Sequence, residues 1–232
     1  MALSSGTTHV VADDGTRLAL HVTHPVAGCP PVVCVPGGPL LDSDYLGDLG
    51  RLAEHRQLAL LDHRGAGRSE TPQGPEAYRW DRLVDDVEAV RRHLGVDSLD
   101  LLAHSAGANT AYRYLERHPG RVARLVLVTP SVLGVGIEVT SAMRRAVVRA
   151  RAVDAAWYAT AAAAFEAVQD GTATDDDRDA MAPLSHGDWS SATQDYAARM
   201  DERRDQDAVN AFFDDDPFDP AATRPALARC EA

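Results

Sequence analysis

The chain has no lysine: its 23 basic residues are all arginine, set against 35 acidic ones, for a formal net charge of -12 over 232 residues. So acidic a chain is not built to hold nucleic acid or an anionic membrane, which are met with clustered positive charge. All-arginine usage beside abundant alanine is a mark of a GC-rich genome, so the arginine count is no sign of phosphate recognition. Cysteine is scarce as well, with Cys29, Cys34 and Cys230 alone and no C-x-x-C spacing. Neither a disulfide framework nor a zinc site is indicated, and no cofactor or metal is expected. The N-terminus has neither a basic start nor an apolar run, and no stretch approaches membrane-spanning length, which makes the expected location cytoplasmic.

What the chain does have is 45% hydrophobic residues, enough for one well-buried core. Thr8 to Ala12 and Arg17 to Thr23 flank Asp13-Asp14-Gly15 and read as a hairpin at the edge of a sheet. Short apolar runs near 31–35, 57–61, 99–103 and 124–128 then alternate with helical patterns, the arrangement of a mostly parallel sheet with helices on both faces. The helix expected over Trp80 to Leu94 carries Leu83, Val87, Val90 and Leu94 on one stripe, with acids toward its start and Arg91 and Arg92 toward its end. Cys34, inside an apolar run, reads as a small core residue.

Chemistry is concentrated in Leu101-Leu102-Ala103-His104-Ser105-Ala106-Gly107. An apolar strand running into a small-residue turn and then a helix exposes the serine hydroxyl at the carboxyl edge of a sheet. The usual pattern is G-x-S-x-G, and here Ala103 stands for the first glycine. The other reading of such a serine is a helix cap. Two further strand-and-turn units precede it in order: one ends in Pro36-Gly37-Gly38-Pro39, the other in Asp62-His63-Arg64-Gly65-Ala66-Gly67-Arg68-Ser69.

Together these turns resemble the α/β-hydrolase family, in its branch that includes proline iminopeptidases. Pro36 to Leu40 is similar to that branch's H-G-G-P-G loop, the Asp62 turn to its D-x-R-G-x-G-x-S, and Ala103–Gly107 to its nucleophile turn. Pro36 replaces the family's histidine and Leu40 the last glycine. The resemblance covers residues 9 to 130 and implies an α/β-hydrolase fold: a core of six strands over 1–134, a helical cap over 135–220 and a return to the core over 221–232. It implies Ser105 as nucleophile and the backbone N–H of Ala106 and of Gly38 as oxyanion hole, with Gly37 the adjacent candidate. Epoxide hydrolysis and dehalogenation on the same fold need a carboxylate where Ser105 stands.

Within the cap, Trp157, Phe165, Trp189, Tyr196, Phe212 and Phe213 read as packing residues before pocket residues. Asp175-Asp176-Asp177 and Asp214-Asp215-Asp216 read as loops and helix starts before a site for a cation or a substrate amine. A serine needs a base, and the base needs a carboxylate to orient it. In the family both follow the seventh and eighth strands, which would occupy about 50 further residues at ordinary element lengths. The fold is therefore expected to be C-terminally truncated, with acid and base beyond Ala232. His63, His104 and His186 are the resident histidines considered as substitutes, and Asp42, Asp44 and Glu138 the acids, none with a spacing argument.

Two readings stay open. In one the chain is a serine hydrolase acting by acyl transfer on a small peptide of the N-terminal proline type, an ester or an amide. In the other it is a catalytically incomplete hydrolase fold with a binding role or no activity alone. The expected partners are a small-molecule or short-peptide substrate, with no nucleic acid and no membrane. A homo-oligomer or a complementing C-terminal segment is a further candidate partner, and on the second reading the open sheet edge favours dimerisation or aggregation.

Overall fold

Six short segments, the central ones apolar at successive positions, put alternate side chains on opposite faces of a sheet. In the computed structural model, which describes residues 4–38, 40–152, 155–202, 206–213 and 218–230, these segments are β1 (Gly6–Val11), β2 (Arg17–Val22), β3 (Val32–Val35), β4 (Leu58–Leu61), β5 (Leu99–His104) and β6 (Val122–Val128). The strand order is β1-β2-β4-β3-β5-β6. β1 and β2 pair antiparallel, as do β2 and β4, and the rest of the sheet is parallel. This is the α/β-hydrolase type of sheet.

The order matters more than the strand count. The chain runs from β3 to β4 on one side, then crosses back to β5 on the other side of β3. The connections out of β3 and into β5 therefore serve opposite sides of β3, and open α/β sheets bind their ligands in the crevice at such a switch point. The turns after β4, β3 and β5 stand side by side at one carboxyl edge, although they are far apart in sequence.

Each face has its own cluster. Leu18, Leu20, Val33, Val35, Leu61, Leu101 and Ala103 pack with Val84, Val87 and Val90 of α1 (Trp80–Leu94) and Ala111 and Tyr114 of α2 (Gly107–Arg117). Their alternate neighbours Val32, Cys34, Leu58 and Leu102 pack with Leu46, and half-buried Tyr45, Leu49 and Leu52 lie against them. Two 3-10 turns, Asp44–Leu46 and Leu52–Glu54, thus provide cover on that face. Cys34 is fully buried there, and burial pushes its thiol up to about 12, leaving it inert.

Two compact units divide the chain: residues 1–137 with 203–232, and residues 138–202. The helices of the segment expected over 135–220 fall in both units. Of its helices, α7 (Gln206–Phe213) belongs to the first unit, because Ala208, Ala211 and Phe212 are buried with Leu40, Tyr78 and Leu83. α8 (Pro220–Ala228) packs on α2 through buried Thr223, which bonds Glu116. The second unit holds α3 (Ser141–Ala150), α4 (Ala156–Gln169), α5 (Asp175–Ala180) and α6 (Ser191–Glu202). There α4 buries Ala161, Ala164 and Phe165. Asp175-Asp176-Asp177 opens α5, where Thr174 and Asp177 form a reciprocal cap. Asp214-Asp215-Asp216 and the side chain of Phe213 lie outside the described residues. Among the described residues, no helix is long and apolar enough to cross a membrane.

One buried ion pair ties the β4 turn to α1. The Arg64 guanidinium, 1% exposed, donates from Nε and Nη2 to both oxygens of Asp86 at 2.8 and 2.6 Å. Its Nη1 reaches Asp14 and the Ala77 carbonyl. Removing Asp86 takes away the fully buried, two-point carboxylate and leaves the buried guanidinium its contact with half-buried Asp14. Asp86→Ala is expected to cost about 3 kcal/mol of unfolding free energy in urea titrations; a loss below about 1 kcal/mol, the scale of an exposed pair, would contradict this account.

Candidate active site

Between β5 and α2 the backbone reverses at a single residue. Ser105 takes φ +50, a left-handed conformation that costs a side-chain-bearing residue on the order of 1–3 kcal/mol. Three backbone hydrogen bonds hold it there. Its N–H donates to the Val128 carbonyl at 3.0 Å, and its carbonyl accepts from Ala108 at 3.1 Å and Ser131 at 2.9 Å. Ala106 caps α2, so the positive end of an 11-residue helix begins at the serine. Ala103, in the usual glycine place, is fully buried in register with Val35 and Leu127; the extra methyl is absorbed by the core.

The loop after β3 passes this turn at contact distance. A Cβ on Gly107 would lie 2.3 Å from the Pro36 carbonyl oxygen, and one on Gly37 would lie 2.8 Å from Ser105 Cβ. Gly38 takes φ +122, which only glycine adopts without strain. Leu40, where the resembled loop ends in glycine, also has a positive φ of +58. Burial against Tyr78, Leu83 and Phe212 offsets that strain. Among the described residues, the N–H groups of Gly38 and Ala106 have no protein acceptor. The Gly37 N–H, the adjacent candidate, does: it donates to the Tyr45 hydroxyl at 2.6 Å and so is committed in this conformation.

Two side chains brace that loop. His63 is 4% exposed, and its Nε2 is 3.1 Å from the Pro36 carbonyl, to which it must donate. Tyr45 sits on the 3-10 turn Asp44–Leu46, its hydroxyl also 2.7 Å from His104 Nδ1. That turn is fixed by Asp62, whose Oδ1 accepts from the N–H and hydroxyl of Ser43 at 2.9 and 2.7 Å. Asp62 Oδ2 accepts from Arg68 N–H and lies 2.8 Å from His21 Nε2. Burial opposes the Asp62 charge, yet these donors hold its carboxyl below the ordinary range. The Asp62 turn is thus the frame of the site. Tyr45 and Ser43 carry no motif in the sequence, and only their fold neighbours identify them.

His63 and His104, the candidates in the first unit, are bonded elsewhere than to Ser105. His63 is buried and committed to Pro36, and His104 is turned toward Tyr45, with ring centroids 5.3 Å apart. His186 lies in the second unit, where its Nδ1 bonds the Ala182 carbonyl. His21 and Asp62 form an imidazole–carboxylate pair, but they stand on β2 and at the end of β4, with β3 between β4 and β5. At about 4.8 Å per strand that is roughly 10 Å from the serine turn. Asp42 and Asp44 line a cavity with His21, Asp62 and Arg68, not the elbow. Glu138 is exposed in the second unit. Among the described residues, Ser105 Oγ has no hydrogen-bond partner, and no group of His, Cys, Asp and Glu is arranged to hold a metal ion.

With this geometry in hand, a family model described as alpha/beta hydrolase fold matches residues 30–192. The chain is similar to a proline iminopeptidase of Heyndrickxia coagulans, 30% identical over 50% of this chain and 40% of that protein. It is likewise similar to an N-formylmaleamate deformylase of Pseudomonas putida, 36% identical over 45% of this chain and 39% of that one. Among solved structures, epoxide hydrolase A from Mycobacterium thermoresistibile superimposes with TM-score 0.50 and 25% identity, covering 62% of this chain and 45% of that one. The chain spans about 40% of the length of the curated relatives it matches.

Burial of His63 gives the site a pH signature. Desolvation pushes its pKa down to about 4 from 6.5, against the Pro36 carbonyl and the Asp62 charge. A depressed imidazole contributes stability that is fully present above 6.5 and lost as pH falls through about 4, at most about 3 kcal/mol. His104 and His118, lowered by burial too, add in the same direction. Urea unfolding at stepped pH should therefore show stability falling from pH 6.5 to 4. His63→Gln, which keeps an N–H for Pro36, should remove about 2 kcal/mol of that fall; an unchanged slope would show that His63 is not the group responsible.

Proposed function

We propose that this chain, which belongs to the α/β-hydrolase fold family, carries the nucleophile and oxyanion hole of a serine hydrolase. Ser105 Oγ attacks the carbonyl carbon of a small peptide, amide or ester, and the negative charge that develops on the carbonyl oxygen falls between the N–H groups of Ala106 and Gly38. Collapse of that adduct leaves an acyl group on Ser105 and releases the amine or alcohol; water then releases the acid. The observation that carries this reading is the left-handed Ser105 at the switch point, with its backbone polar groups fully committed and its hydroxyl unpartnered. An ordinary helix-capping serine has its side-chain oxygen on an N–H of the first turn; no such bond is made here.

A serine at this turn supports acyl transfer over epoxide opening, which takes a carboxylate nucleophile there. The proline iminopeptidase relatives favour a short peptide with N-terminal proline as substrate class. Pro36 in place of the branch's histidine leaves that loop braced instead by His63 and Tyr45. On this reading the Ser105 proton passes to a base, oriented by a carboxylate, that the described residues do not place at the hydroxyl.

A fluorophosphonate tests the reading without a chosen substrate. The folded protein should form one covalent adduct, mapped by peptide mass to Ser105, about a hundredfold faster than the same serine in concentrated urea. Ser105→Ala should form none. Failure of the folded protein to label, or labelling equal to the unfolded chain, would favour the catalytically incomplete hydrolase fold.

A further inference from the structure

The Tyr45 phenol bridges the two backbones that border the switch-point crevice. Its oxygen accepts the Gly37 N–H at 2.6 Å, from the loop leaving β3, and lies 2.7 Å from Nδ1 of His104, the last residue of β5 and the one before Ser105. We propose that Tyr45 is a positioning residue of the acyl-transfer site, selecting Gly38 as oxyanion donor by sequestering the Gly37 N–H and locking that loop to the serine turn. The inference rests on the reading of Ser105 as nucleophile.

The geometry leaves the phenol little choice. Gly37 is buried, so its N–H must find a protein acceptor or lose the energy of hydration. With Tyr45 as that acceptor, the next peptide is free to present Gly38 N–H at φ +122. The same hydroxyl hydrogen is available to His104 Nδ1, a neutral imidazole because burial lowers its pKa. Tyr45 itself is aimed by its own turn. Ser43, two residues earlier, gives both its donors to Asp62, and Leu46 N–H returns to the Ser43 carbonyl at 3.0 Å. A path of contacts thus runs from the Asp62 carboxylate through Ser43 and Tyr45 to the two residues that flank the nucleophile. Removing the phenol oxygen unlocks both sides while leaving the ring in the cluster with Leu46 and Leu102.

Tyr45→Phe tests this with two readouts. Amide hydrogen exchange at Gly37 should speed up about tenfold or more, with the urea midpoint unchanged. The first-order rate of Ser105 phosphonylation at saturating fluorophosphonate should fall about tenfold or more, while the half-saturating concentration stays the same. Faster Gly37 exchange with an unaltered labelling rate, or unaltered exchange at Gly37, overturns the proposal. A wild-type protein that does not label overturns the nucleophile reading, and the positioning role falls with it; the Gly37 exchange then decides only whether the phenol braces the loop. If Tyr45→Phe does not fold, His104→Leu, which cuts only the bond to the serine turn, should lower the labelling rate in the same direction with Gly37 exchange unaltered; an unaltered labelling rate overturns the proposal.

Discussion

How closely the chain leaving β3 passes the turn leaving β5 governs the rest of this molecule. Pro36 and Gly37 run against Ser105 and Gly107 at distances that leave no room for another methyl group. That approach forces glycine at 37 and 107 and small residues around the serine. It also requires β5 to reverse within one residue, which places Ser105 at φ +50. Strain of this kind persists only where the surroundings over-determine it. Here Val128, Ser131 and the first turn of α2 supply that restraint. The unpartnered hydroxyl of half-buried Ser105, the N–H groups without a protein acceptor and the helix N-terminus are consequences of one tight crossing at the sheet's switch point.

The Asp62 turn makes the crossing rigid. Its carboxylate collects Ser43, Arg68 and His21, its histidine holds the Pro36 carbonyl, and its arginine anchors α1 through Asp86. His63 and Asp62 stand next to one another with both pKa values lowered, His63 by burial, which keeps the imidazole neutral, and Asp62, against its own burial, by its hydrogen-bond donors, which keep the carboxylate ionised. None of these groups touches the hydroxyl of Ser105. They determine where the loop that presents Gly38 lies.

Much of this was legible in the sequence because it is local. A strand run followed by its turn residues is contiguous, so β3, β4, β5 and their turns could be read in order, as could α1 from its stripe of Leu83, Val87, Val90 and Leu94. The long-range contacts were not legible. Tyr45 lies in an unremarkable Asp-Ser-Asp-Tyr stretch, and its importance comes from Gly37 and His104, brought to it by parallel strand pairing. Leu40 looked like a defect in a glycine loop until Phe212, distant in the chain, was found covering it. The same holds for α7, which has ordinary helical spacing: only its burial against Tyr78 and Leu83 assigns it to the first unit.

A crystal structure of the fluorophosphonate adduct is the measurement closest to the central claim. The account predicts phosphorus bonded to Ser105 Oγ, with one phosphonyl oxygen within about 3 Å of both Ala106 N and Gly38 N, and Gly37 N still on the Tyr45 hydroxyl. Phosphorus on another residue, or a phosphonyl oxygen turned away from those two N–H groups, would contradict it.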